Sequence, residues 1–387
     1  MARAAGASAP GGPAMPGRAL VIGTGLVGGS LGLALRARGW EVRGWDADPG
    51  RTREAVGLGA IDEAGDDPRA DVAFVATPSS AVAAVAHGLF HDVRREKPIV
   101  VTDVAGVKAP VVAAVRHPRF VGGHPMAGSE QVGLEGADAE LFSGALWVLS
   151  PVAGTPRGDA GPAEGEGVVP ATDLAAFSLV RGIVASLGSD VVALSPEDHD
   201  RLVATVSHVP HLVAATLMNA ASEDAEQDAV LLRLAAGGFR DMTRVAAGHP
   251  GIWPDLCADN SAAIVRSLER VIADLSVLRD RIDSADRAGL LEVLERASAA
   301  RRHLPARGAR PERLTEVRLP VPDREGVLAE ITGAASDLGV NIYDIEIAHS
   351  PEGPMGVLVL VVEGSDAPKL GEELRARGHR STSQALS

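Results

Sequence analysis

The amino-acid sequence predicts an α/β protein of three domains: a doubly wound sheet, an all-α segment and a C-terminal α+β domain. The first observation is length, because 387 residues exceed what one hydrophobic core usually serves. The second is an alternation of short apolar strands with helices from residue 18 onward, and the third is a change to helical spacing after residue 196. Since 46% of the residues are hydrophobic and 23% are charged, we expect most of the chain to fold.

The first domain is predicted over residues 18–195. Its strands are expected in the segments ALVIG, EVRGWD, DVAFVAT, PIVVTD, RFVGG and DVVAL, with helices between them. Short apolar strands separated by helices indicate a parallel sheet covered on both faces, which is a Rossmann-type fold. The Ala/Gly/Pro-rich tail at 1–17 is expected to be disordered, and the Gly/Pro-rich segment 151–170 is expected to be a surface insertion.

The second domain is predicted to be helical over residues 196–302. Apolar residues alternate in steps of four and three along one predicted helix, at Ile264, Leu268, Val271, Leu275, Leu278 and Ile282. Such a seam needs a partner helix. Packing within one subunit and packing in a homodimer both satisfy it, and we favour the homodimer.

The third domain is predicted over residues 314–387, after a polar, Arg/Pro-containing linker at 303–313. Its pattern is a strand, a helix, two strands and a second helix. This order is typical of a small α+β domain of the ferredoxin-like type.

Composition and charge restrict the function classes. A formal net charge of −14, with no long Lys/Arg stripe, disfavours nucleic acid as a partner. The single cysteine, Cys257, excludes an intrachain disulfide framework and favours a reducing, cytoplasmic location. No uninterrupted apolar run approaches the ~20 residues of a membrane span, and the N-terminus lacks the apolar segment of a secretory signal, so neither insertion nor export is expected.

The segment GTGLVG, Gly23–Gly28, predicts a dinucleotide-binding turn because it follows a strand and opens a helix. Gly23 permits the tight turn, Gly25 lets the backbone approach a pyrophosphate, and Gly28 allows close helix–strand packing. Leu26 and Val27 begin the helix whose N-terminus attracts the phosphates.

A second feature of this site is Asp46, which ends the next strand. Its carboxylate can accept hydrogen bonds from a ribose and would repel a 2′-phosphate, so NAD is favoured over NADP, although Arg51 lies nearby in the sequence. Thr77 and Asp103, at the ends of the following strands, complete the predicted cofactor site.

Two loops should carry the chemistry, because ligands of such sheets bind at the carboxyl ends of the strands. These loops are TDVAGVK (Thr102–Lys108) and GGHPMAGSE (Gly122–Glu130). His124 directly follows a strand and is the candidate acid or base, with a core or capping histidine as the alternative.

The helical region adds His199 and the segments SHVPH, FRDMTR and GIWP, which place histidines, arginines and a tryptophan on otherwise apolar stretches. An arginine there suits a substrate carboxylate, although Arg240 or Arg244 could instead pair with Asp241 or another internal acid. The three histidines His199, His208 and His211 lack accompanying carboxylates or thiolates in a ligand pattern, so no metal site is predicted.

These motifs in this order resemble the TyrA family, the prephenate and arogenate dehydrogenases of tyrosine biosynthesis, over about Arg18–Arg302. The resemblance implies an NAD-dependent oxidative decarboxylation of prephenate to 4-hydroxyphenylpyruvate. It implies that His124 takes the proton of the substrate hydroxyl and that Arg244 binds the ring carboxylate. His211, Ser129 and Trp253 then fall at positions that line the substrate pocket.

Two positions bear on how closely the family pattern holds. Gly106 stands where the family usually has a serine that contacts the hydroxyl and the nicotinamide, so water or Ser129 replaces that contact or the site is weaker. Glu130 near the substrate side chain would pair with the ammonium of arogenate and repel the keto acid of prephenate, unless His211 or another cation neutralises it. Glu130 could also be a surface or capping carboxylate. The substrate stays open, with prephenate slightly favoured.

The segments VPDREGVLAEI and DLGVNI resemble an ACT domain, the amino-acid-sensing module that some members of this family carry. The usual Asp-Arg-Pro-Gly turn reads Asp323, Arg324, Glu325, Gly326 here. Feedback inhibition by tyrosine is therefore one hypothesis, and a purely structural or dimerising domain is the other.

Two competing functions are weighed against this hypothesis. A β-hydroxyacid dehydrogenase would use a lysine of the helical domain, but no lysine occurs between Lys108 and Lys369. A non-catalytic NAD-binding amino-acid sensor could use the same turn and terminal domain, but would have no reason to combine His124 and Arg244 with the helical histidines.

Overall fold

The computed structural model describes residues 16–128, 131, 133–153, 169–227, 230–302, 313–322, 324–349 and 355–385. The predictions of a disordered tail, a surface insertion and a linker fall mostly on residues 1–15, 154–168 and 303–312, which lie outside the described residues. Ser129, Glu130 and Asp323 lie outside them as well. The chain forms two compact units, one from the residues up to Pro210 with Gly248–Ser267 and one from His211–Ala247 with the residues from Leu268 onward.

The first unit is built on a sheet in which eight strands are described, in the order β3-β2-β1-β4-β5-β6-β7-β8. The strands are β1 Arg18–Ile22, β2 Glu41–Trp45, β3 Glu63–Ala64, β4 Val72–Val75, β5 Val100–Asp103, β6 Phe120–Pro125, β7 Leu146–Ser150 and β8 Asp190–Ala193. All neighbours pair in parallel except β6 and β7, which are antiparallel. The doubly wound sheet predicted from the sequence is therefore present, with one reversed strand pair.

Helices cover both faces of this sheet. They are α1 Leu26–Arg36, α2 Pro49–Gly57, α3 Ser79–Phe90, α4 Ala109–Val115 and α5 Leu174–Ser186. Alternate residues of β1 point to opposite faces, so Ala19 and Val21 join the core beneath α1 and α5, whereas Leu20 and Ile22 join the core beneath α3 and α4. Two apolar cores thus fix the carboxyl ends of the central strands at one edge.

Strands β3 and β7 were not expected from the sequence. β3 has only two residues, and both are exposed, so it carries no apolar pattern. β7 is apolar and buried, with Trp147 fully inaccessible to solvent. It lies just before the Gly/Pro-rich segment, and that segment obscured the strand signal.

The helical stretch that follows β8 begins with α6 Pro196–Val203, and Ser195 caps it by accepting a hydrogen bond from the Asp198 N–H. A π-helical turn at Ala204–His208 then leads into α7 Val209–Gln227. Pro210 has no N–H to donate to the preceding turn, which accounts for the local change of helical register. The stretch Pro196–Asp224 is apolar and long enough to span a membrane by those two criteria alone, and one such helix is weak evidence for a span.

The remaining helices of the predicted second domain are α8 Gly237–Thr243, α9 Trp253–Asp259, α10 Ser261–Asp283 and α11 Arg287–Arg302. α10 contains the apolar seam predicted from the sequence. Ile264 at its start is buried, but Leu275 and Ile282 expose 56% and 65% of their surface in the single chain. Two of the six seam residues are thus exposed within one subunit, and Leu268, Val271 and Leu278 are partly buried.

The second unit includes a four-stranded antiparallel sheet in the order β10-β11-β9-β12. Its elements are β9 Leu314–Pro322, α12 Val327–Asp337, β10 Ile342–His349, β11 Met355–Glu363, α13 Ala367–Ala376 and β12 Thr382–Ala385. This is the ferredoxin-like order, with one strand more than the sequence predicted. β12 has the sequence TSQA and is exposed throughout, so the sequence has no apolar alternation that would predict this strand.

Candidate active site

The turn between β1 and α1 has the geometry of a dinucleotide site. Gly23 has a φ of +92°, and a Cβ there would lie 2.4 Å from the carbonyl oxygen of Ala76. A Cβ on Gly28 would lie 1.8 Å from the carbonyl oxygen of Gly23, so the helix can pack this closely only without a side chain. At Gly25, by contrast, a Cβ would meet nothing within 4 Å, which leaves open space beside the backbone. Gly23 therefore permits the turn, Gly28 permits the close packing of the helix, and Gly25 leaves space for a ligand.

The start of α1 offers donors to an anion. Gly25 is the N-cap residue and no side chain caps the helix, while Leu26 and Val27 are only partly buried. The first turn of such a helix presents backbone N–H groups and a partial positive charge. The pyrophosphate of a dinucleotide fits this position.

Asp46 lies beside the same turn. One of its carboxylate oxygens accepts the Thr24 N–H at 2.8 Å and the other accepts the Asp48 N–H at 2.9 Å. Each oxygen keeps a lone pair for a further donor, so the side chain is held in place and can still accept ribose hydroxyls. Thr77, also predicted, lies close by, because its backbone nitrogen is 3.2 Å from a Cβ built on Gly23.

His124 stands near the end of β6 and is partly exposed. Its Nδ1 lies 2.8 Å from Nε2 of His199, and the two rings meet edge to face with centroids 5.1 Å apart. Nδ1 of His199 lies in turn 2.7 Å from Oδ1 of Asp200. A chain of hydrogen bonds thus runs from a buried carboxylate through a fully buried imidazole to the candidate base.

The surroundings keep His124 neutral. Burial lowers its pKa well below the ordinary value of 6.5. A neutral imidazole has a lone pair that can take a proton. His124 is therefore suited to act as a base at neutral pH.

A buried ion pair supports the strand that carries His124. Lys108 and Asp103 pair with both side chains fully buried, and the Lys108 Nζ also donates to the Gly123 carbonyl at 2.7 Å. Asp103 accepts the Gly123 N–H at 3.0 Å and the Ala105 N–H at 3.0 Å. Burial lowers the pKa of Lys108, and the charge of Asp103 opposes that shift. The carboxylate predicted to contact the cofactor is thus engaged in holding β5, β6 and the loop between β5 and α4 together.

Asp200 joins the helical segment to the same loop. Its two oxygens accept the backbone N–H groups of Lys108 and Ala109 at 2.7 and 2.8 Å, at the start of α4. Asn260 donates to the Asp200 carbonyl at 2.9 Å and lies 3.3 Å from Nδ1 of His208. Burial lowers the pKa of His208 to about 4, so this histidine is a neutral core group.

Asp200 and the supporting role of Lys108 were missed from the sequence. The adjacent His199 and Asp200 at the start of a helix, and a lone lysine at the end of an apolar loop motif, were the signals available. A contact 75 residues apart between His124 and His199 is set by the sheet order and has no local pattern.

The other predicted substrate residues fall as follows. Trp253 begins α9 in the first unit, where its ring meets His208 edge to face at 6.2 Å. His211 and Arg244 belong to the second unit. His211 is half-buried and burial lowers its pKa, whereas Arg244 is exposed just after α8. Ser129 and Glu130 lie outside the described residues.

Gly106 has room for a side chain. A Cβ there would meet only Leu256 Cδ1, at 3.6 Å, which is an ordinary contact. Steric hindrance therefore does not explain why glycine replaces the family serine at this position. Across the described part of the chain, no group of three or more histidines, cysteines or carboxylates is arranged to hold a metal ion.

The fold and the site together define an NAD-dependent dehydrogenase, and comparisons with known proteins agree. Residues 31–159 match the family model "Prephenate dehydrogenase, nucleotide-binding domain", and residues 195–296 match "Prephenate dehydrogenase, dimerization domain". The chain is 30% identical to the prephenate dehydrogenase of Bacillus subtilis over 378 residues, which cover 94% of this chain and 97% of that protein.

Solved structures give the same result. The chain is similar to prephenate dehydrogenase from A. aeolicus in complex with hydroxyphenyl propionate and NAD⁺, with a TM-score of 0.64 and 28% identity over 74% of this chain and 97% of that one. It is also similar to Synechocystis arogenate dehydrogenase, with a TM-score of 0.63 and 29% identity over 73% of this chain and 98% of that one. This chain belongs to the prephenate dehydrogenase family.

Proposed function

We propose that the protein catalyses the NAD-dependent oxidative decarboxylation of prephenate to 4-hydroxyphenylpyruvate, with arogenate, which would give tyrosine directly, as the alternative substrate. The observation that carries the proposal is His124. It is a neutral, partly exposed imidazole at the end of β6, bonded through His199 to Asp200. A group of this kind is what removal of a hydroxyl proton requires.

The reaction needs one proton removed and one hydride accepted. His124 takes the proton of the ring hydroxyl as the hydride leaves the same carbon, CO₂ departs and the ring becomes aromatic. When bound, NAD supplies the hydride acceptor. The open backbone at Gly25, the N-terminus of α1 and the carboxylate of Asp46 fit its pyrophosphate and ribose.

The substrate anchors are assigned by position in the family motifs. By these motifs Arg244 is the candidate for binding the ring carboxylate through paired donors, and the other candidate substrate residues are His211, Trp253, Ser129 and Glu130. Loss of Arg244 should raise KM more than it lowers kcat, because a carboxylate clamp binds the ground state and the transition state alike. Kinetics of Arg244→Lys test this, since lysine keeps the charge and loses the paired geometry.

The choice between prephenate and arogenate depends on the substrate side chain. The similarities to a prephenate dehydrogenase and to an arogenate dehydrogenase are nearly equal, 28% and 29% identity, and do not separate the two. Glu130 would favour the ammonium of arogenate, and a cation such as His211 would offset it. We place prephenate first.

Two further properties belong to the proposal. The two exposed residues of the α10 seam, Leu275 and Ile282, support a homodimer. In the terminal domain, Gly326 and Gly339 have φ values of +82° and +65°, which support tight loops of an ACT-type site for a tyrosine effector. A cytoplasmic location completes the proposal.

The test is a parallel assay of the purified protein with NAD and either prephenate or arogenate, followed by NADH absorbance. We expect NADH with prephenate and a higher kcat/KM for it than for arogenate. A higher kcat/KM for arogenate would reverse the substrate assignment. A flat trace with both would instead favour a non-catalytic NAD-binding sensor.

Tyrosine regulation needs its own assay. Tyrosine added to the prephenate reaction should lower the rate or make the substrate curve sigmoidal. Rates that stay unchanged at saturating tyrosine would leave the terminal domain a structural or dimerising role.

A further inference from the structure

With both imidazoles neutral, the hydrogen-bond chain behind His124 has one consistent arrangement of protons. Oδ1 and Oδ2 of Asp200 accept backbone N–H groups from Lys108 and Ala109, so the carboxylate is surrounded by donors. Nδ1 of His199 lies 2.7 Å from Oδ1, and it must donate to that oxygen. A neutral His199 then has its lone pair on Nε2.

The same reasoning fixes His124. Because Nε2 of His199 is an acceptor, Nδ1 of His124 must carry the hydrogen in the 2.8 Å contact between them. The remaining ring nitrogen of His124, Nε2, is then unprotonated. A base needs its lone pair on the atom that meets the substrate, and the other tautomer would present an N–H there.

We infer that His199 and Asp200 are positioning residues that fix the tautomer of His124 and take over the positive charge when His124 becomes protonated. This inference rests on the proposed role of His124 as the base. As the substrate O–H bond breaks, an Nε2–H bond forms on His124. The Nδ1 hydrogen of His124 then moves to Nε2 of His199, whose Nδ1–H stays bonded to Asp200. His124 ends neutral and His199 ends as an imidazolium paired with a carboxylate.

The groups that face this chain make the transfer to His199 favourable. Lys108, which donates to the Gly123 carbonyl next to His124, is paired with Asp103, while His208 is neutral beside Asn260. Asp200 is the carboxylate in direct contact with His199. A positive charge is therefore better placed on His199 than on His124.

The tautomer can be measured on the unaltered chain, and a variant is needed only to assign the signals. Nitrogen-15 NMR of histidine-labelled full-length protein at neutral pH should show His124 with hydrogen on Nδ1 and an unprotonated Nε2. The His124 signals are those that vanish in His124→Asn. Hydrogen on Nε2 of His124 would overturn the inference, even if the protein oxidises prephenate at a normal rate.

Kinetics of His199→Gln test whether the proton moves from His124 to His199. The glutamine oxygen can still accept a hydrogen bond from His124 but cannot take up its proton. We expect kcat to fall about 10- to 100-fold with little change in KM, as for other residues that orient a reactive group from behind. The exposed His91 is a matched control, and His91→Gln should behave as the wild type.

The pH profile of kcat distinguishes two roles for His199: acceptor of the proton from His124, or a positive charge that only lies nearby. If His199 shares the proton, its loss should move the acid limb of kcat to lower pH, because His124 alone binds the proton less tightly. If His199 acted only as a neighbouring positive charge, the limb would move to higher pH, and the charge-transfer part would be overturned.

A double variant shows whether His199 acts through His124. His124→Asn combined with His199→Gln should be no slower than His124→Asn alone, because the second change then removes support from an absent base. Additive losses would assign His199 a structural role only and overturn the inference. Should His199→Gln fail to fold, the tautomer measurement on the unaltered chain decides it.

Discussion

The sheet of the first unit and the terminal antiparallel sheet are both covered by helices, yet their interiors differ. Around β5 and β6 the first unit buries Asp103 and Lys108, and His199 and Asp200 lie beside them. The core of the terminal domain consists of apolar side chains such as Ile331 and Leu360. Ion pairs such as Arg377 with Asp337 lie at the surface, and the buried His379 contacts the partly exposed Glu330.

The difference shows where the fold contains buried charged groups, which are unfavourable for stability. Burying charged groups is unfavourable unless each is paired and hydrogen-bonded, and hydrophobic replacements of such pairs are often neutral or stabilising. A buried network is therefore weak evidence for stability and stronger evidence for a site. In this chain the buried hydrogen-bond network leads to a partly exposed imidazole, that of His124. Among the described residues, the hydrophobic core of the terminal domain is made of apolar side chains and leads to no such group.

The largest expected effect is the loss of the base. His124→Asn should lower kcat by about 10²–10⁴-fold, because a general base contributes roughly that much, while KM changes little. NADH formation with prephenate measures both parameters. An equal loss in His124→Asn and in the exposed control His91→Asn would contradict the comparison.

The next effect concerns the buried pair. Lys108→Met leaves Asp103 charged and unpaired in the interior, and should destabilise the protein by about 3–5 kcal/mol. Lys97 pairs with Asp71 at the surface, so Lys97→Met should cost under about 1 kcal/mol. Urea unfolding of the two variants compares them directly, and similar midpoints would show that the buried pair does not hold β5 and β6.

A core change in the terminal domain should behave differently. Ile331 on α12 is fully buried, and Ile331→Ala should cost about 2–5 kcal/mol in unfolding of this domain. Leu328 on the same helix is 40% exposed, so Leu328→Ala serves as the milder control. Hydrogen exchange of α12 measures the stability, and kcat without tyrosine should stay unchanged. A fall in kcat like that of His124→Asn would remove the contrast between the two regions.

The smallest expected effect is a gain. Gly106→Ser adds the family hydroxyl where the structure leaves room, and one extra hydrogen bond should raise kcat by at most about 10-fold. Gly106→Ala fits equally well without the hydroxyl and should not raise it. Equal rates in both variants would show that another donor already makes this contact.

Much of the architecture could be predicted because short stretches of the sequence carry the pattern of each element. The apolar strands, the glycine turn and the α10 seam each occupy a short stretch with its own periodicity. β7 and β12 were missed, since β7 borders a Gly/Pro-rich segment and β12 is polar and exposed. Local signals of this kind cannot show a polar edge strand such as β12, which is held only by its pairing with β9.

The site was predictable in part for the same reason. His124 and Asp46 stand at strand ends, and a sheet brings strand ends to a known edge. The contact between His124 and His199 joins residues far apart in the sequence, and Asp200 is placed by the N–H groups of a helix it does not belong to. These arrangements follow from tertiary packing and have no sequence spacing of their own.

The most direct test of the central claim is the pH profile of kcat for the unaltered protein with NAD and prephenate. Because burial lowers the pKa of His124 well below 6.5, the base is already neutral at pH 7 and is lost only as the pH falls through that lowered pKa. We therefore predict constant turnover from pH 7 down to 6.5 and an acid limb below 6.5. An acid limb centred at pH 7 or above, or a limb that persists in His124→Asn, would contradict the claim that the buried network keeps His124 as a neutral base.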